Sequence, residues 1–307
     1  MSLARVFTGV VGGGFVAGAA LGAYGLWEAR QYGLRTETVP VLPTGSPDIR
    51  VLHVSDIHLV PSQARKLEWL ADLASLEPDL VVDTGDNLAH RLSVPPLLEA
   101  FSGLLGRPGV FVHGSNDYFE PRLRNPVKYL LPDDGKRRTN VPRLPWRDLS
   151  ARFTAAGWTD LTNTRARLRV KGLDIAVAGV DDPHLGYDRL DAVAGPAPAD
   201  ADLRLAITHA PYLRVLDRFA EDGYDAILAG HTHGGQVCLP RLRGGGRALT
   251  TNCDLDPARA RGLHHHRDAW LHVSAGLGSS PYTRVRVACR PEATLLTLTA
   301  RPDVRAD

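Results

Sequence analysis

The sequence predicts an α/β fold in which helices cover a β-sheet, and three observations support this prediction. Short β-rich runs alternate with helical patterns from Ile49 onward, as in a β-α-β-α-β arrangement. Three polar residues that follow predicted strands, Asp56, Asp86 and Asn116, lie 30 residues apart, which is about the length of one βαβ unit. The 307 residues are 44% hydrophobic and 23% charged, as in an ordinary globular protein with a substantial core.

The first half of the globular part accounts for most of this pattern. Strands are predicted at Arg50–Ser55, Asp79–Asp83 and Gly109–His113, with helices at Ser62–Leu76 and Pro96–Leu105. The first helix is amphipathic, because its leucines recur at helical spacing on one side. These elements therefore predict parallel strands joined by helices.

A long insertion and further strands follow. Residues 121–147 contain eight Lys or Arg, two Asp and five Pro, which predicts a surface segment. This segment is either a solvated loop or a basic rim over an anionic substrate or lipid surface. Later strands are predicted at Ala166–Val170, Asp174–Gly179, Leu203–Thr208, Ala226–Ala229, Ala269–Ser274, Thr283–Ala288 and Ala293–Thr299, with an irregular stretch at 241–268.

The N-terminus differs from the rest of the chain. Val6–Trp27 is a run of 22 residues without a charge, about the length that a helix needs to cross a bilayer. Glycines 14, 18 and 22 could form a small-residue packing face. We expect a transmembrane anchor, with a cleaved signal peptide as the alternative. Arg5 on one side and Arg30 and Arg35 on the other leave the orientation open.

These features divide the chain into four parts. We expect an anchor or signal at 1–30, a polar linker at 31–48, the main globular domain at 49–301 and a tail at 302–307. The net charge of +2 does not favour a nucleic-acid partner. Three scattered cysteines do not form a disulfide framework.

Asp, Asn and His residues follow the predicted strands, and this pattern carries the chemistry. They lie in Asp56-Ile57-His58, Gly85-Asp86, Gly114-Ser115-Asn116-Asp117, Thr208-His209 and Gly230-His231-Thr232-His233. Parallel strands build sites at their carboxyl ends, so we expect these side chains to converge on one edge of a sheet. Asp and His suit Zn, Mn or Fe. Two such ions, bridged by one carboxylate, can bind the attacking and leaving oxygens of a phosphate and generate hydroxide at neutral pH.

The same motifs resemble the calcineurin-like metallophosphoesterase superfamily, whose signature runs D-x-H, G-D, G-N-H-D or E, a lone His, and G-H-x-H. The resemblance spans Ile49 to Thr299. It implies two packed β-sheets flanked by helices. Four motifs are most similar to a membrane-associated bacterial branch that includes some UDP-diacylglucosamine hydrolases. They are S-D-I-H-L, G-H-T-H-G-G-Q, G-L-G-S-S and C-R-P-E-A-T-L-L-T-L.

The resemblance also implies ligand roles. Asp56, His58 and His233 would bind the first metal ion, and Asp86 would bridge the two ions. Asn116, His209 and His231 would bind the second ion.

One loop departs from the family pattern, because Gly114-Ser115-Asn116-Asp117 replaces G-N-H-D. Aligned without a gap, Ser115 takes the ligand position and Asn116 the position of the catalytic His. Aligned by chemistry, Asn116 is the ligand and the His is absent. The acid that protonates the leaving group would then be Asp117, His113, a neighbouring His such as His184, or water.

The predicted function is a metal-dependent phosphoesterase, a phosphodiesterase or a pyrophosphatase, in which a metal-bound hydroxide attacks phosphorus. The alternative is a non-catalytic metal-binding membrane protein derived from the same fold, which the missing His motivates. A different metal hydrolase, such as an amidase, is a third reading. The anchor and the basic insertion favour a lipid-linked phosphate or pyrophosphate as substrate, and a membrane as partner.

Overall fold

Two six-stranded β-sheets pack face to face, and helices cover their outer faces. The structure is a computed structural model that describes residues 18–123, 139–241 and 246–302. One hydrophobic cluster joins the two sheets, with Val51, Val82 and Val110 from one and Ile175, Leu205 and Leu228 from the other. The predicted α/β fold with two packed sheets is therefore confirmed.

The first sheet contains the strands that precede three of the predicted ligand motifs. Its order is β1 (Gly33–Leu42), β14 (Glu292–Ala300), β2 (Ile49–Val54), β3 (Leu80–Asp83), β4 (Gly109–Phe111) and β5 (Thr159–Asp160). Strands β2 to β5 are mutually parallel. Strand β14 runs antiparallel to β2 and parallel to β1.

The second sheet carries the other two motifs. Its order is β12 (Gly262–His266), β13 (Ala269–Val273), β9 (Ala226–Ala229), β8 (Leu203–Thr208), β7 (Leu173–Gly179) and β6 (Thr164–Val170). The four inner strands are parallel, and β12 and β6 are antiparallel edges. A small antiparallel pair is formed by β10 (Cys238–Pro240) and β11 (Gly246–Ala248).

Helices complete the outer layers. They are α1 (18–28), α2 (Ala64–Asp72), α3 (Val94–Ala100), α4 (Ser102–Leu105), α5 (Ser115–Tyr118), α6 (Trp146–Ala155), α7 (Leu190–Val193) and α8 (Leu213–Glu221), with 3-10 turns at Leu73–Leu76, His233–Gly235 and Pro257–Arg259. Leu70 of α2, Leu97 of α3 and Phe153 of α6 pack on the first sheet. Leu216 and Phe219 of α8 pack on the second.

Successive side chains of β2 point to opposite faces of the sheet, and this explains why the sequences of such strands are hydrophobic runs. Ile49 and Val51 point between the sheets, whereas Leu52 and Val54 point toward the helices. Because both faces are buried, parallel strands of this kind lack a polar side. The carboxyl end of β2 is thereby held rigidly where the first ligand motif begins.

Three sequence-based expectations about secondary structure are wrong. The predicted linker at 31–48 contains β1, which pairs with β14 over most of its length. No strand is formed at 283–288. The stretch at 241–268 is not wholly irregular, because β12 pairs with β13 there and includes His264, His265 and His266.

The predicted anchor Val6–Trp27 lies largely outside the described residues, since the description begins at residue 18. Its last part belongs to α1, which ends at residue 28. Among the described residues, none of the helices combines the length and apolar character needed to span a bilayer. Parts of the basic insertion (124–138) and of the glycine-rich stretch (242–245) also lie outside the described residues.

Candidate metal centre

The predicted ligands come together at the carboxyl ends of parallel strands from both sheets. Asp56, Asp86 and Asn116 follow β2, β3 and β4 of the first sheet. His209 and His231 follow β8 and β9 of the second. The prediction that these side chains converge on one edge of a single sheet is therefore wrong. The site lies where the ends of two packed sheets meet.

Three side chains form the first cluster. Ligand atoms of Asp56, His58 and His233 lie within 4.8 Å of one another. His58 Nε2 is 3.2 Å from His233 Nε2, and His233 Nε2 is 3.8 Å from Asp56 Oδ1. One carboxylate oxygen and two imidazole nitrogens thus face a common point, which suits a transition-metal ion.

Asp86 lies between this cluster and a second one. Its Oδ2 is 3.4 Å from His58 Nε2, and its Oδ1 is 3.6 Å from His209 Nε2. His209 Nε2 is in turn 3.3 Å from His231 Nδ1. The two oxygens of Asp86 therefore face different imidazoles, as a bridging carboxylate requires.

Backbone carbonyl groups orient three of the imidazoles. The Nδ1–H of His233 donates to Gly278 O at 3.0 Å, and that of His209 donates to Thr84 O at 2.8 Å. His231 instead uses Nε2–H, which donates to Asn252 O at 3.2 Å. Since a carbonyl only accepts, each contact fixes the tautomer and leaves the opposite nitrogen lone pair facing the cluster.

Five of the predicted ligand residues have left-handed backbone conformations. Their φ values are 49° for Asp56, 44° for His58, 58° for Asp86, 70° for His231 and 49° for His233. Residues other than glycine rarely adopt this region, and each instance costs on the order of 1–3 kcal/mol. The surrounding fold therefore imposes these conformations, which turn the side chains sharply off the strand ends into the site.

Two glycines allow the strand ends to approach closely. A β-carbon at Gly230 would lie 1.9 Å from Ser55 Oγ and 2.6 Å from Asp56 Oδ2. A β-carbon at Gly114 would lie 2.4 Å from Asp86 Oδ1. Any side chain at either position would displace a carboxylate of the site.

The charges of the cluster fit bound cations. Burial raises the pKa of Asp86 well above its ordinary value; His209 opposes this shift and Asp56 adds to it. Asp56 Oδ1 is buried and has no hydrogen-bond partner among the described residues, and burial lowers the pKa of His58 and His233 well below the usual value. Burial thus keeps His58 and His233 neutral, as metal ligands must be, and a cation beside Asp86 would favour the ionised form that burial opposes.

Helix α5 brings both alternative ligands of the altered loop to the cleft. Ser115 and Asn116 line it together with His58, Asp86 and His231. The backbone N–H of Asn116 donates to Asp86 Oδ1 at 2.6 Å, and its side-chain Nδ2 donates to Phe119 O at 3.2 Å. The donation by Nδ2 leaves the amide oxygen Oδ1 as the atom suited to a cation, but the choice between Ser115 and Asn116 stays a prediction.

Asp117 and His113 lie behind the site. The Asp117 carboxylate accepts backbone N–H groups from Asp86, Asn87 and Gly114 at 2.8, 2.8 and 3.0 Å, and it is fully buried. His113 is buried as well and contacts Ser150 Oγ at 2.7 Å through Nε2. Neither residue is among those that line the cleft, so this placement does not support either as the proton donor to a leaving group.

His184 is the cleft-lining imidazole outside the predicted ligand set. Its ring centroid lies 4.5 Å from that of His231, and its Nδ1 is 3.2 Å from the Tyr212 hydroxyl. The backbone N–H of His184 donates to Asp182 Oδ1 at 2.7 Å. The segment that follows β7 therefore presents an imidazole to the same cleft as the metal ligands.

Sequence reasoning missed Arg286, which supports His233. Its fully buried guanidinium donates to the carbonyl oxygens of Ala275 at 2.8 Å and Gly276 at 3.1 Å, and it also contacts Gly278 O, the acceptor of His233. No local motif around Arg286 marks this role, because it depends on contacts to a loop that precedes it.

His264 and His266 lie away from the cleft. His264 Nε2 contacts Arg261 O, and His266 Nε2 contacts Asp217 Oδ1.

Comparisons with known proteins match the chain to metallophosphoesterases. A family model described as calcineurin-like phosphoesterase matches residues 49–235. The chain is 28% identical to the uncharacterized metallophosphoesterase YkoQ of Bacillus subtilis, over 80% of this chain and 82% of that protein. It is 26% identical to the phosphodiesterase YaeI of Escherichia coli, over 81% and 82%. It is 30% identical to a Bos taurus transmembrane protein with a metallophosphoesterase domain, over 71% of this chain and 48% of that protein.

Proposed function

This chain belongs to the calcineurin-like phosphoesterase family, and we propose that within it the chain is a phosphodiesterase or pyrophosphatase with a dinuclear metal site. Hydrolysis of phosphate esters is the activity of the family. The observation that carries the finer proposal is the position of Asp86, whose two carboxylate oxygens face His58 and His209. A carboxylate in this position can bridge two ions.

The ligand sets follow from the two clusters. Asp56, His58 and His233 would hold one ion, and His209 and His231 with Asn116 or Ser115 would hold the other, each sharing Asp86. Imidazole and carboxylate donors fit Mn, Zn or Fe. When bound, two such ions would neutralise charge on the phosphate and lower the pKa of water.

The protein's own groups prepare this site in three ways. Backbone carbonyls fix the tautomers of His209, His231 and His233, as described above. Asp117 holds Asp86 and Asn87 through their backbone N–H groups, so we assign it a positioning role. Arg122, with Phe119 and Glu120, lines the outer cleft and offers a positive charge to an anionic substrate.

His184 is the side chain that we assign as proton donor to the leaving oxygen. It lines the cleft with its ring tilted against that of His231, whereas Asp117 and His113 are enclosed behind the metal ligands. An imidazole in this position can replace the His that the altered 114–117 loop lacks.

We further propose that the chain acts at a membrane on a lipid-linked phosphate or pyrophosphate. The uncharged run Val6–Trp27 is long enough for an anchor, and one relative is described as a transmembrane protein. Pro121 and Arg122, at the start of the basic insertion, line the cleft. A basic rim at this point suits a substrate presented from an anionic surface.

The test is hydrolysis of bis-(p-nitrophenyl) phosphate by the full-length protein, with metal content measured on the same sample. We expect about two ions per chain in the wild type, and loss of both turnover and at least one ion in Asp86→Asn. Asp148→Asn, on the exposed face of α6, is the matched control and should keep both. Wild-type turnover in Asp86→Asn would refute the dinuclear mechanism.

The altered loop also motivates a non-catalytic metal-binding protein of the same fold. Full metal occupancy without hydrolysis of any diester, pyrophosphate or lipid-linked phosphate would support that alternative.

A further inference from the structure

A second cavity lies apart from the metal ligands, between α1, the start of α2 and the loop at residues 278–284. Its volume is about 420 Å³. It is lined by Leu26, Ala29, Arg30, Tyr32, Ser62, Gln63, Ala64, Arg65, Lys66, Gly278, Ser279 and Arg284. Four of these residues are cationic, and among the described residues that line it there is no Asp or Glu.

None of the four cations is neutralised within the described part of the chain. Arg30, Arg65, Lys66 and Arg284 form no ion pair with a described carboxylate, although many other arginines do, such as Arg204 with Asp225 at 2.8 Å. Like charges brought together without a counter-ion repel one another. The cavity is therefore built to receive an anion.

Lys66 is the strongest indication of an anion site, because its side chain is buried. Only 2% of the residue is exposed, and its ammonium donates to Ile57 O at 2.6 Å. A lysine ammonium carries three donors, and burial of such a group is costly unless it is paired. An anion in the cavity would satisfy the remaining donors.

The first turn of α2 adds further donors to the cavity. The helix begins at Ala64, has no side-chain cap at its N-terminus and no acidic residue in its first turn. Its nine residues place the positive end of the helix dipole beside Ser62, Gln63 and Ala64, which line the cavity. Backbone N–H groups at such an end bind phosphate oxygens.

Helix α1 indicates where the anion comes from. Its inner side is fixed to the domain, because Gly25 O accepts from Arg286 N at 3.1 Å and Glu28 Oε2 accepts from Ala288 N at 2.8 Å. Its opposite side exposes large apolar residues, with Leu26 47% and Trp27 52% exposed. Apolar and aromatic side chains beside a cationic pocket are the pattern of a surface that meets a bilayer at the level of the headgroups.

We propose that this cavity binds the phosphate headgroup of an anionic membrane lipid, with Lys66, Arg65, Arg30 and Arg284 as its cationic ligands. The apolar side of α1 contacts the acyl region, while the phosphate enters beneath the helix and reaches the start of α2. None of the residues that line the site is a predicted metal ligand. The site orients the domain on the membrane.

The test is calorimetric titration of the full-length protein, in an uncharged detergent, with dihexanoyl phosphatidylglycerol. We expect saturable binding that weakens with added salt. Arg65→Glu, on the exposed side of the cavity, and Lys66→Met should each weaken binding by about fivefold or more, since each cation near an anionic headgroup contributes about 1 kcal/mol. Arg169→Glu, an exposed arginine on the edge strand β6 of the other sheet, is the matched control and should bind as the wild type does.

Titrations with two further ligands identify the source of the phosphate. Dihexanoyl phosphatidylcholine and glycerol 1-phosphate should each bind far more weakly than phosphatidylglycerol, because the first lacks net charge and the second lacks acyl chains. Equal binding of glycerol 1-phosphate would overturn the lipid assignment in favour of a soluble phosphate. Binding unchanged in both Arg65→Glu and Lys66→Met would overturn the site itself, and thermal unfolding of each variant verifies that it is folded. If Lys66→Met does not fold, Arg65→Glu alone decides.

Discussion

The carboxylate of Asp117 accepts the backbone N–H of Asp86 at 2.8 Å, and this contact connects the loop after β4 to the centre of the metal site. Through its other bonds, to Asn87 N at 2.8 Å and Gly114 N at 3.0 Å, the same carboxylate fixes two strand ends at once. The left-handed backbone of Asp86 (φ 58°) is maintained by such contacts.

Asp117→Asn should test this positioning role. The amide retains one acceptor oxygen, so at least one buried N–H loses its partner, and we expect a loss of about 1–3 kcal/mol in the free energy of unfolding. Metal affinity and turnover should fall together, by similar factors for nitrophenyl and alkyl phosphodiesters. A loss confined to alkyl esters, with metal content retained, would instead identify Asp117 as the general acid.

His184→Gln should separate substrates by their leaving groups. An alkyl leaving oxygen needs a proton and a nitrophenolate does not. We therefore expect turnover of alkyl diesters to fall by about 100-fold or more, in line with the usual contribution of general acids, with little change for the nitrophenyl diester and in metal content. His264→Gln, on β12 and away from the cleft, is the control; equal losses on both substrates would contradict the assignment of His184.

Paired substitutions in α5 should identify the ligand in the altered loop. If Asn116 is the ligand, Asn116→Ala lowers metal content and Ser115→Ala does not. Asn116→His should then lower metal content and all rates. Increased alkyl-ester turnover in Asn116→His, with metal content unchanged, would show that Ser115 occupies the ligand position and that Asn116 stands at the catalytic position.

Lys66 should make the stability of the protein depend on pH. Burial lowers the pKa of Lys66 from 10.5 to about 7. Between these values the unfolded chain binds a proton that the folded chain does not, so the contribution of Lys66 to stability rises with pH across this window, by at most about 1.4 kcal/mol per pH unit. Below it both states are protonated and the full burial penalty applies.

Urea unfolding of the wild type and of Lys66→Met between pH 7 and 9 would measure this dependence. The stability of the wild type relative to Lys66→Met should increase with pH. The exposed Lys171 provides the control, because the effect of Lys171→Met should not vary over the same range. A constant difference between wild type and Lys66→Met would show that Lys66 has no lowered pKa in the folded protein.

The N-terminal segment should hold the protein to membranes. We expect the full-length chain to sediment with membranes and to resist extraction at high salt or alkaline pH, because an uncharged run of this length inserts into the hydrocarbon layer. Recovery of the chain in the soluble fraction, with an intact N-terminus, would contradict the anchor. Recovery with the N-terminus removed would indicate a signal peptide.

Much of the metal site could be predicted because each predicted ligand lies within five residues of the end of a hydrophobic strand. Asp56, Asp86 and His209 are placed by local features, namely a buried strand and the turn after it. The partition of these strands between two sheets is not local, since it depends on β2 and β8 pairing with different neighbours. The resemblance to a family supplied that information, whereas spacing alone indicated one sheet.

Strand β1 shows the main limit of sequence reasoning in this chain. Its residues do not alternate between polar and apolar, because the polar run 35–38 is followed by an apolar run with a proline at position 40, and such a segment resembles a linker. It forms a strand because it pairs with β14, with Gly33 opposite Glu292. Contacts so distant in sequence leave no local signal. The role of Asp117 was missed for a related reason: acceptance of three backbone N–H groups depends on how separate loops meet.

The central position of β14 has a consequence for biosynthesis. This strand lies between β1 and β2, yet the ribosome makes it after all the predicted metal ligands, the last of which is His233. Until β14 emerges, β2 exposes an unpaired edge to other nascent chains and to chaperones. The first sheet can therefore be completed only after β14 has been made, and a chain interrupted before residue 292 would carry every predicted metal ligand on an open sheet that is prone to aggregation.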